Sequence, residues 1–531
     1  MKVCLKEKNT WLRIEKPEVT MWFKGYIVDK KPQQLFEMFL VSIEDKKSMN
    51  ELLDELVGHF SVVLQTKTNI FCAVDKIRSI PLLFNNEIIF SCESDLDKGE
   101  NSLVSLDEER ILELRMSGYC LERGTIIQGL RSLECGEYVN IDRESGEAHF
   151  ERYYTYQKTE LSKASNEDLL EELKRVTLQV LEDCVKQADG KRIVVPLSAG
   201  YDSRLVVSGL KKLGVENVHC FSYGAKGNFE SIAAKKIAEK LGYSWEFVEN
   251  RPRNQRIFYK SKKWKEFKSY CNSYSASPFV QDVSILPRLK GVNIEKEKLL
   301  FINGNSGDFI SGLHIDREFF ENDKTSLVDI VKLVFKKHYS LWKSLKNKKN
   351  EEKIEQKILG IVKEQNTSLK PYQIYEALEL INRQSKFVVS GQRSYEFWGQ
   401  DWALPLWSNR YLDFWVKVPK ALKKDQSLYR KMLHEENWGE VWEGIELNNK
   451  SIKPRWVMIY RFILKALFFV FGKENWHQIE RNLVVYWTES VCNAAIEPYY
   501  KVALSLRGAR HGVSWITDNY LREEEGKFAK K

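Results

Sequence analysis

At 531 residues the chain is too long for one ordinary domain and suits two or three. Its net charge of +9, from 83 basic and 74 acidic residues, is spread without a dense basic patch, so it does not demand nucleic acid; anionic substrates or an anionic membrane surface remain compatible. Nine cysteines with no C-x-x-C pair argue for free thiols in a reducing compartment and against a zinc ribbon. The opening MKVCLKEKNTWLRIEK has no apolar stretch of the secretory kind, and the expected location is cytoplasmic.

Residues 1–155 read as β-rich. Short apolar runs at Phe60–Leu64, Ile70–Val74, Ile88–Phe90 and Tyr138–Ile141 are separated by turn-forming residues. The charged stretch 155–190 has apolar residues at three- and four-residue spacing, which predicts a helix and a boundary near 155–165. From 191 strands and helices alternate: strand 193–197, helix 203–213 stopped by Gly214, strand 218–222, helix 230–241, strand 245–248. That βαβαβ order predicts a parallel sheet with ligands at the carboxyl ends of its strands. Beyond about 250 the pattern is mostly helical, and 342–357 reads as a solvated charge run. Residues 456–472 (WVMIYRFILKALFFVFG) are very apolar but carry Arg461 and Lys465 four apart. They read first as a core helix with snorkelling cations, second as a helix lying on a membrane surface, and last as a span.

The most informative stretch is KRIVVPLSAGYDSR, residues 191–204. A buried strand turns through small residues into a helix N-terminus, where free N–H groups and the positive end of the helix dipole face one loop. Gly200 lets backbone approach a phosphate, and Ser198 and Ser203 add hydroxyls. Asp202 does not suit a bare phosphate; it suits one that arrives with Mg²⁺. The plain alternative is an ordinary strand–turn–helix of an α/β sheet. The loop is neither a Walker A loop nor a dinucleotide GxGxxG.

With these motifs in view, the chain resembles asparagine synthetase and the related ATP-dependent amide ligases. Ser198-Ala199-Gly200-Tyr201-Asp202-Ser203 is similar to that family's SGGxDS pyrophosphate loop. Cys220–Gly224 followed by Glu230 and Ala233 resembles the adjoining strand and helix near the adenine. Ile302–Gly312 (INGNSGDFISG) resembles the SGEGSDExFGG loop, whose aspartate helps bind Mg²⁺, here Asp308. A helix ending in Trp402–Leu406 resembles the RVPFLD segment. In the first part, Leu56–Phe60, Asp75 with Arg78–Phe84, Phe90-Ser91 and Thr125–Val139 resemble the scaffold of the family's class II glutamine amidotransferase domain.

The resemblance implies an α/β chain: an N-terminal-nucleophile-like αββα sandwich, then an adenine-nucleotide-hydrolase-like parallel-sheet domain with a mostly helical C-terminal part. It implies domains at 1–155 and 165–445 and a helical extension at 446–531. ATP and pyrophosphate would be bound by Leu197, Ser198, Ala199, Gly200, Asp202, Ser203, Phe221, Ser222 and Gly304, and Mg²⁺ by Asp202 and Asp308. The catalytic candidates are Asp202, Asp308, Asn305 and Lys424.

Departures shape the expected activity. The family's glutaminase needs an N-terminal cysteine whose own amine is the base, whereas this chain reads Met1-Lys2-Val3-Cys4. The NGEIYN element is reduced to Lys24-Gly25-Tyr26-Ile27. Asn305 stands where the family has a Glu, and Gln426 where it has a catalytic Lys, with Lys423 or Lys424 as nearby substitutes. The expected function is an ATP-dependent ligase that activates a small-molecule carboxylate as acyl-AMP, releases PPi, and joins it to an amine or ammonia without its own glutaminase. The alternatives are an asparagine synthase using ammonia or glutamine, and a noncatalytic nucleotide-binding scaffold.

Overall fold

The computed structural model describes residues 1–529 except 44, 98–102, 323, 366–367 and 447–453, and only the backbone of 471 and 474. The strands of the first part alternate apolar residues between two faces. β1 (Lys2–Val3), β6 (Leu83–Phe84), β7 (Ile88–Phe90) and β8 (Arg131–Ser132) form a four-stranded sheet in the order β1-β7-β6-β8. β2 (Leu12–Lys16), β3 (Val19–Ile27), β4 (Gly58–Gln65), β5 (Asn69–Val74), β9 (Glu137–Asp142) and β10 (Ala148–Arg152) form an antiparallel six-stranded sheet in the order β10-β9-β5-β4-β3-β2. Trp22, Val63 and Cys72 of the larger sheet cluster with Phe84 and Ile89 of the smaller one. Their neighbours Met21, Phe23, Val62 and Phe71 face α1 (Pro32–Ser42) and α2 (Lys46–Glu55) through Leu35, Phe39 and Leu53. Leu83, Ile88 and Phe90 turn outward to Ile111 and Leu114 of α3 (Glu108–Ser117). A side-chain period of two thus buries both faces of both sheets and yields four layers, αββα.

α4 (Asn166–Ala188), whose Ser165 cap accepts from the N–H of Asp168, leads into the second sheet. Five parallel strands lie there in the order β13-β12-β11-β14-β15: β11 (Arg192–Pro196), β12 (Val218–Gly224), β13 (Ser244–Glu249), β14 (Leu299–Ile302) and β15 (Asp401–Ala403). α5 (Tyr201–Lys212) and α6 (Phe229–Leu241) are the crossovers of the first three. The predicted strands and helices between 193 and 248 are all present. β14 and β15 were not predicted, and Trp402-Ala403 belongs to a strand rather than to the end of a helix. Strand order reverses between β11 and β14, which opens a crevice at their carboxyl ends.

The two sheet units share buried charge. Lys24 Nζ lies 3.0 Å from Glu396 and donates to Tyr270 Oη (3.1 Å) and the Asn9 carbonyl (2.9 Å), with Arg393 on Glu396 at 3.1 Å. The expected charge run is partly an interface as well. The helix Lys348–Lys363 buries Ile354, Ile358 and Val362, and Lys357 meets Glu113 of α3 at 2.7 Å.

The apolar segment near 460 is not the core helix expected. The helix Arg455–Phe468 buries only Val457 and Leu464, while Trp456, Ile459, Phe462 and Ile463 are exposed. Among the described residues no helix is long and apolar enough to cross a membrane. The final helix, Gly512–Phe528, runs back to the first unit, where Tyr520 and Leu521 join Leu83 and Phe90.

Candidate active site

A cavity of about 960 Å³ opens at the crevice between β11 and β14. Three strand ends supply its floor: Pro196–Ser198 with the start of α5, Phe221–Tyr223, and Asn303–Ser306. The loop after β11 is held from within. The N–H of Ser198 donates to Ser203 Oγ (3.0 Å), the two hydroxyls are 3.0 Å apart, and the N–H of Gly200 donates to Ser198 Oγ (3.2 Å). Gly200 caps α5 with no side chain on the first N–H groups, so these stay available to an anion in the cavity.

Of the residues expected to bind nucleotide, Leu197, Ser198, Gly200, Asp202, Ser203, Phe221, Ser222 and Gly304 line the cavity. Ala199 does not: it is buried behind the loop, where its carbonyl accepts from Arg204 (2.7 Å). The Ser222 hydroxyl is spent on structure, donating to the Leu197 carbonyl (2.7 Å) and accepting from Trp245 Nε1 (3.0 Å). The glycine reading moves as well. Gly200 has φ −67°, and a Cβ there would meet only Ser198 Oγ at 3.4 Å. The close approach lies on the other loop. A Cβ on Gly304 would come within 2.8 Å of the Asp202 backbone, and one on Gly307 within 2.3 Å of the Asp202 carboxylate.

This fit seats the Asp308 loop on Asp202. The N–H of Asp308 donates to Asp202 Oδ2 (3.3 Å), and Tyr429 Oη donates to Oδ1 (3.2 Å). Burial, and secondly the charge of Asp308, push the Asp202 carboxyl up to about 7. Asp308 is also pushed upward by burial, but its hydrogen bond from His314 (Nε2–Oδ2 3.2 Å) more than offsets this and brings it below its usual value. Asn305 lines the cavity too, its N–H held by Asn303 Oδ1 at 2.9 Å.

Lys424 is the expectation that fails. Asp425 and Gln426 both have positive φ (50° and 58°), which breaks the helix there. Lys424 is left exposed, lining a separate depression with Arg430 and His434. Gln426 turns into the main cavity and donates to Ser311 Oγ (2.7 Å). Lys423 is buried against Glu376 at 3.0 Å.

The cations that do line the cavity, Arg383 and His314, were missed in the sequence. His314 bridges Asp308 and buried Glu379 (Nδ1–Oε1 2.5 Å), and Lys337 sits on the same Glu379 at 2.7 Å. Burial lowers the His314 pKa, yet its hydrogen bonds to the Asp308 and Glu379 carboxylates win and raise it to about 9. One signal was present: His314 lies six residues after Asp308. Arg383 lies on an irregular turn of helix at Leu380–Val388 that no local pattern announces. The chain beyond 446 also contributes. Glu489, Ser490, Val491 and Asn493 line the cavity, and Asn250 anchors them by donating to the Ser490 carbonyl (2.8 Å).

The lining holds four carboxylates, Asp202, Glu230, Asp308 and Glu489, against one guanidinium and one imidazole. A polyphosphate would be repelled there unless a divalent cation came with it. Asp202, in the first turn of α5, and Asp308, in the short helix Gly307–Ile310, suit Mg²⁺, which takes one or two carboxylates plus phosphate oxygens. Among the described residues no group of three or more His, Cys, Asp or Glu is arranged to hold a metal by itself.

Residues 177–285, which carry β11, the Ser198–Ser203 loop, β12 and β13, match the family model of asparagine synthase. This segment is similar to the asparagine synthase family. A probable asparagine synthetase (glutamine-hydrolyzing) of Acanthamoeba polyphaga mimivirus is 26% identical over 211 residues. That match covers 38% of this chain and 36% of the relative, so the likeness spans little more than a third of either protein. Two solved structures share 55% of this chain at a TM-score of 0.18: an allosteric regulatory enzyme of purine biosynthesis (15% identical) and the glutamine phosphoribosylpyrophosphate amidotransferase from B. subtilis (13%). An overlap that slight adds nothing to the sheet topology described above. The asparagine synthase segment stops before Asp308, so the second acid enters the site by its position in the fold.

Proposed function

We propose that this chain is an ATP-dependent carbon–nitrogen ligase that activates a carboxylate as its acyl-adenylate. The observation that carries the reading is the pairing of Asp202 with Asp308 across the mouth of an uncapped helix N-terminus. The N–H groups opening α5 and the hydroxyls of Ser198 and Ser203 take the β- and γ-phosphates. Asp202 and Asp308 would hold Mg²⁺, which would supply positive charge to offset the charge of the departing pyrophosphate. Phe221 and Tyr223 wall the nucleotide side, and Arg383 supplies the positive charge that attracts the acceptor carboxylate.

A carboxylate oxygen attacks the α-phosphorus, the α–β P–O bond breaks, and pyrophosphate departs. The nitrogen of an amine or ammonia then attacks the acyl carbon. The C–O bond to AMP breaks with its electrons going to AMP, and the nitrogen loses a proton to leave the amide. Preorganised donors that meet charge only as it develops supply the acceleration.

No glutaminase accompanies this site in our reading. Cys4 is buried beside Leu83 and Phe90, and the Lys24-Gly25 element is committed to the Glu396 ion pair. The nitrogen therefore comes from free ammonia or a separate amine. ATP–pyrophosphate exchange with a panel of carboxylic acids tests the proposal, comparing wild type with Asp202→Asn. Exchange with at least one acid, abolished in the variant, is expected; absence of ATP binding by the wild type would refute it. Glutamate release from glutamine would refute the second part.

A further inference from the structure

We infer that the helix Arg455–Phe468 and the turn after it dock on an anionic membrane surface. Residues 447–473 contain six Lys or Arg and no Asp or Glu, in a chain where acids otherwise nearly match bases. Val457 and Leu464, with Tyr460 and Phe468 beside them, pack on Trp476 and Val484, a spacing of three or four that fixes the inner side. The outer side is just as apolar. Trp456, Ile459, Phe462, Ile463, Leu467 and Val470 are exposed, five of them more than half exposed at 59%, 74%, 51%, 60% and 79% (Ile459, Phe462, Ile463, Leu467, Val470). A monomer does not expose a contiguous apolar strip of this kind without a partner for it.

The charges decide which partner. Arg461 is answered by Glu480, but Arg455 and Lys465 are exposed on the helix, and Lys450, Lys453 and Lys473 flank it in the sequence. A two-fold pairing of this face with a second copy would bring the exposed cations Arg455 and Lys465 together with those of the second copy. An anionic lipid surface takes both features at once: acyl boundary for the apolar strip, headgroups for the cations, and Trp456 at the depth where indoles settle. The same C-terminal part lends Glu489–Asn493 to the catalytic cavity, so docking and the site share one structural unit.

Flotation of the purified full-length chain with vesicles tests this independently of any ligase activity. The chain is expected to bind vesicles of equal phosphatidylcholine and phosphatidylglycerol at least about tenfold more than phosphatidylcholine alone. Phe462→Asp with Ile463→Asp is expected to abolish flotation while leaving the melting temperature unchanged, because both side chains are exposed. Lys465→Gln is expected to weaken binding about fivefold, the fold-change of about 1 kcal/mol for one cation at such a surface. No flotation with the anionic vesicles would overturn the inference. So would equal binding to phosphatidylcholine alone, or a dimer in solution that the double Asp variant dissolves.

Discussion

Replacing Asp202 by Asn should stabilise the ligand-free protein at alkaline pH while removing its proposed activity. Asp202 is half-buried, faces Asp308, and has its carboxyl raised from 3.8 to about 7. A folded-state pKa above the unfolded value means that ionisation destabilises the fold: stability is lost as pH climbs from about 4 through 7 and is flat above. At about 1.4 kcal/mol per pH unit the full gap is worth roughly 4 kcal/mol. The carboxyl lines an open cavity, where water screens part of this, and about half, roughly 2 kcal/mol, is the working figure. Asn keeps an oxygen to accept from the N–H of Asp308 and can turn its amide toward Tyr429, so little hydrogen bonding is forfeited. For a chain this size a gain of that order raises Tm by about 2 °C. Thermal melts in matched buffers from pH 5 to 8.5 measure it. The gain should widen with pH and level off above 7. A variant no more stable than wild type at pH 8.5, or a gain independent of pH, would refute the view that two acids are held together there against their own repulsion.

Other outcomes follow from the same geometry. Gly304→Ala forces a Cβ within 2.8 Å of the Asp202 backbone and should cost about 1–3 kcal/mol in chemical denaturation, with exchange activity lost in step. Glu379→Gln leaves His314 and Lys337 without their buried counter-charge, and a loss of about 3–5 kcal/mol is expected in the same assay. His314, with its pKa raised from 6.5 to about 9, contributes stability that is complete below pH 6.5 and lost as pH rises through 9; in His314→Gln the melt should lose that alkaline slope. Cys4→Ala should leave ammonia-dependent amide formation within twofold of wild type, as measured by AMP release, because the thiol is buried away from the cavity.

Much of the site was legible because its pieces are local. A β-branched run, a turn of small residues and an amphipathic helix announced β11 and α5 within one continuous stretch, 192–212. Its remaining parts depend on distant packing. β14 and β15 are four and three residues long, are buried, and are separated by nearly a hundred residues of mostly helical chain, so no period of two could reveal them. Gly304 reads as a turn glycine until Asp202 is placed against it. Lys424 was chosen by sequence nearness to Gln426, and a break in the helix at Asp425 and Gln426 sent the two side chains to different surfaces. The outer face of Arg455–Phe468 was misjudged because composition cannot say whether an apolar helix has neighbours on both sides.

The buried charges between the sheet units make the αββα sandwich part of the stability of the second sheet. Glu396 is 4% exposed as a side chain, holds Arg393 and Lys24, and accepts from Trp402 Nε1 (2.9 Å) beside β15. Lys24 comes from β3 of the first unit, so deleting that unit would strip a buried carboxylate of one of its two cations next to the parallel sheet. α3 makes the same kind of demand through Glu113 and Lys357. Charge pairs of this sort add little as isolated contributions, but removing one partner is costly, so they bind the two units into one folding problem. The first unit is thus structurally tied to the second: β3 supplies Lys24, a counter-ion of Glu396, whose other oxygen accepts from Trp402 of β15.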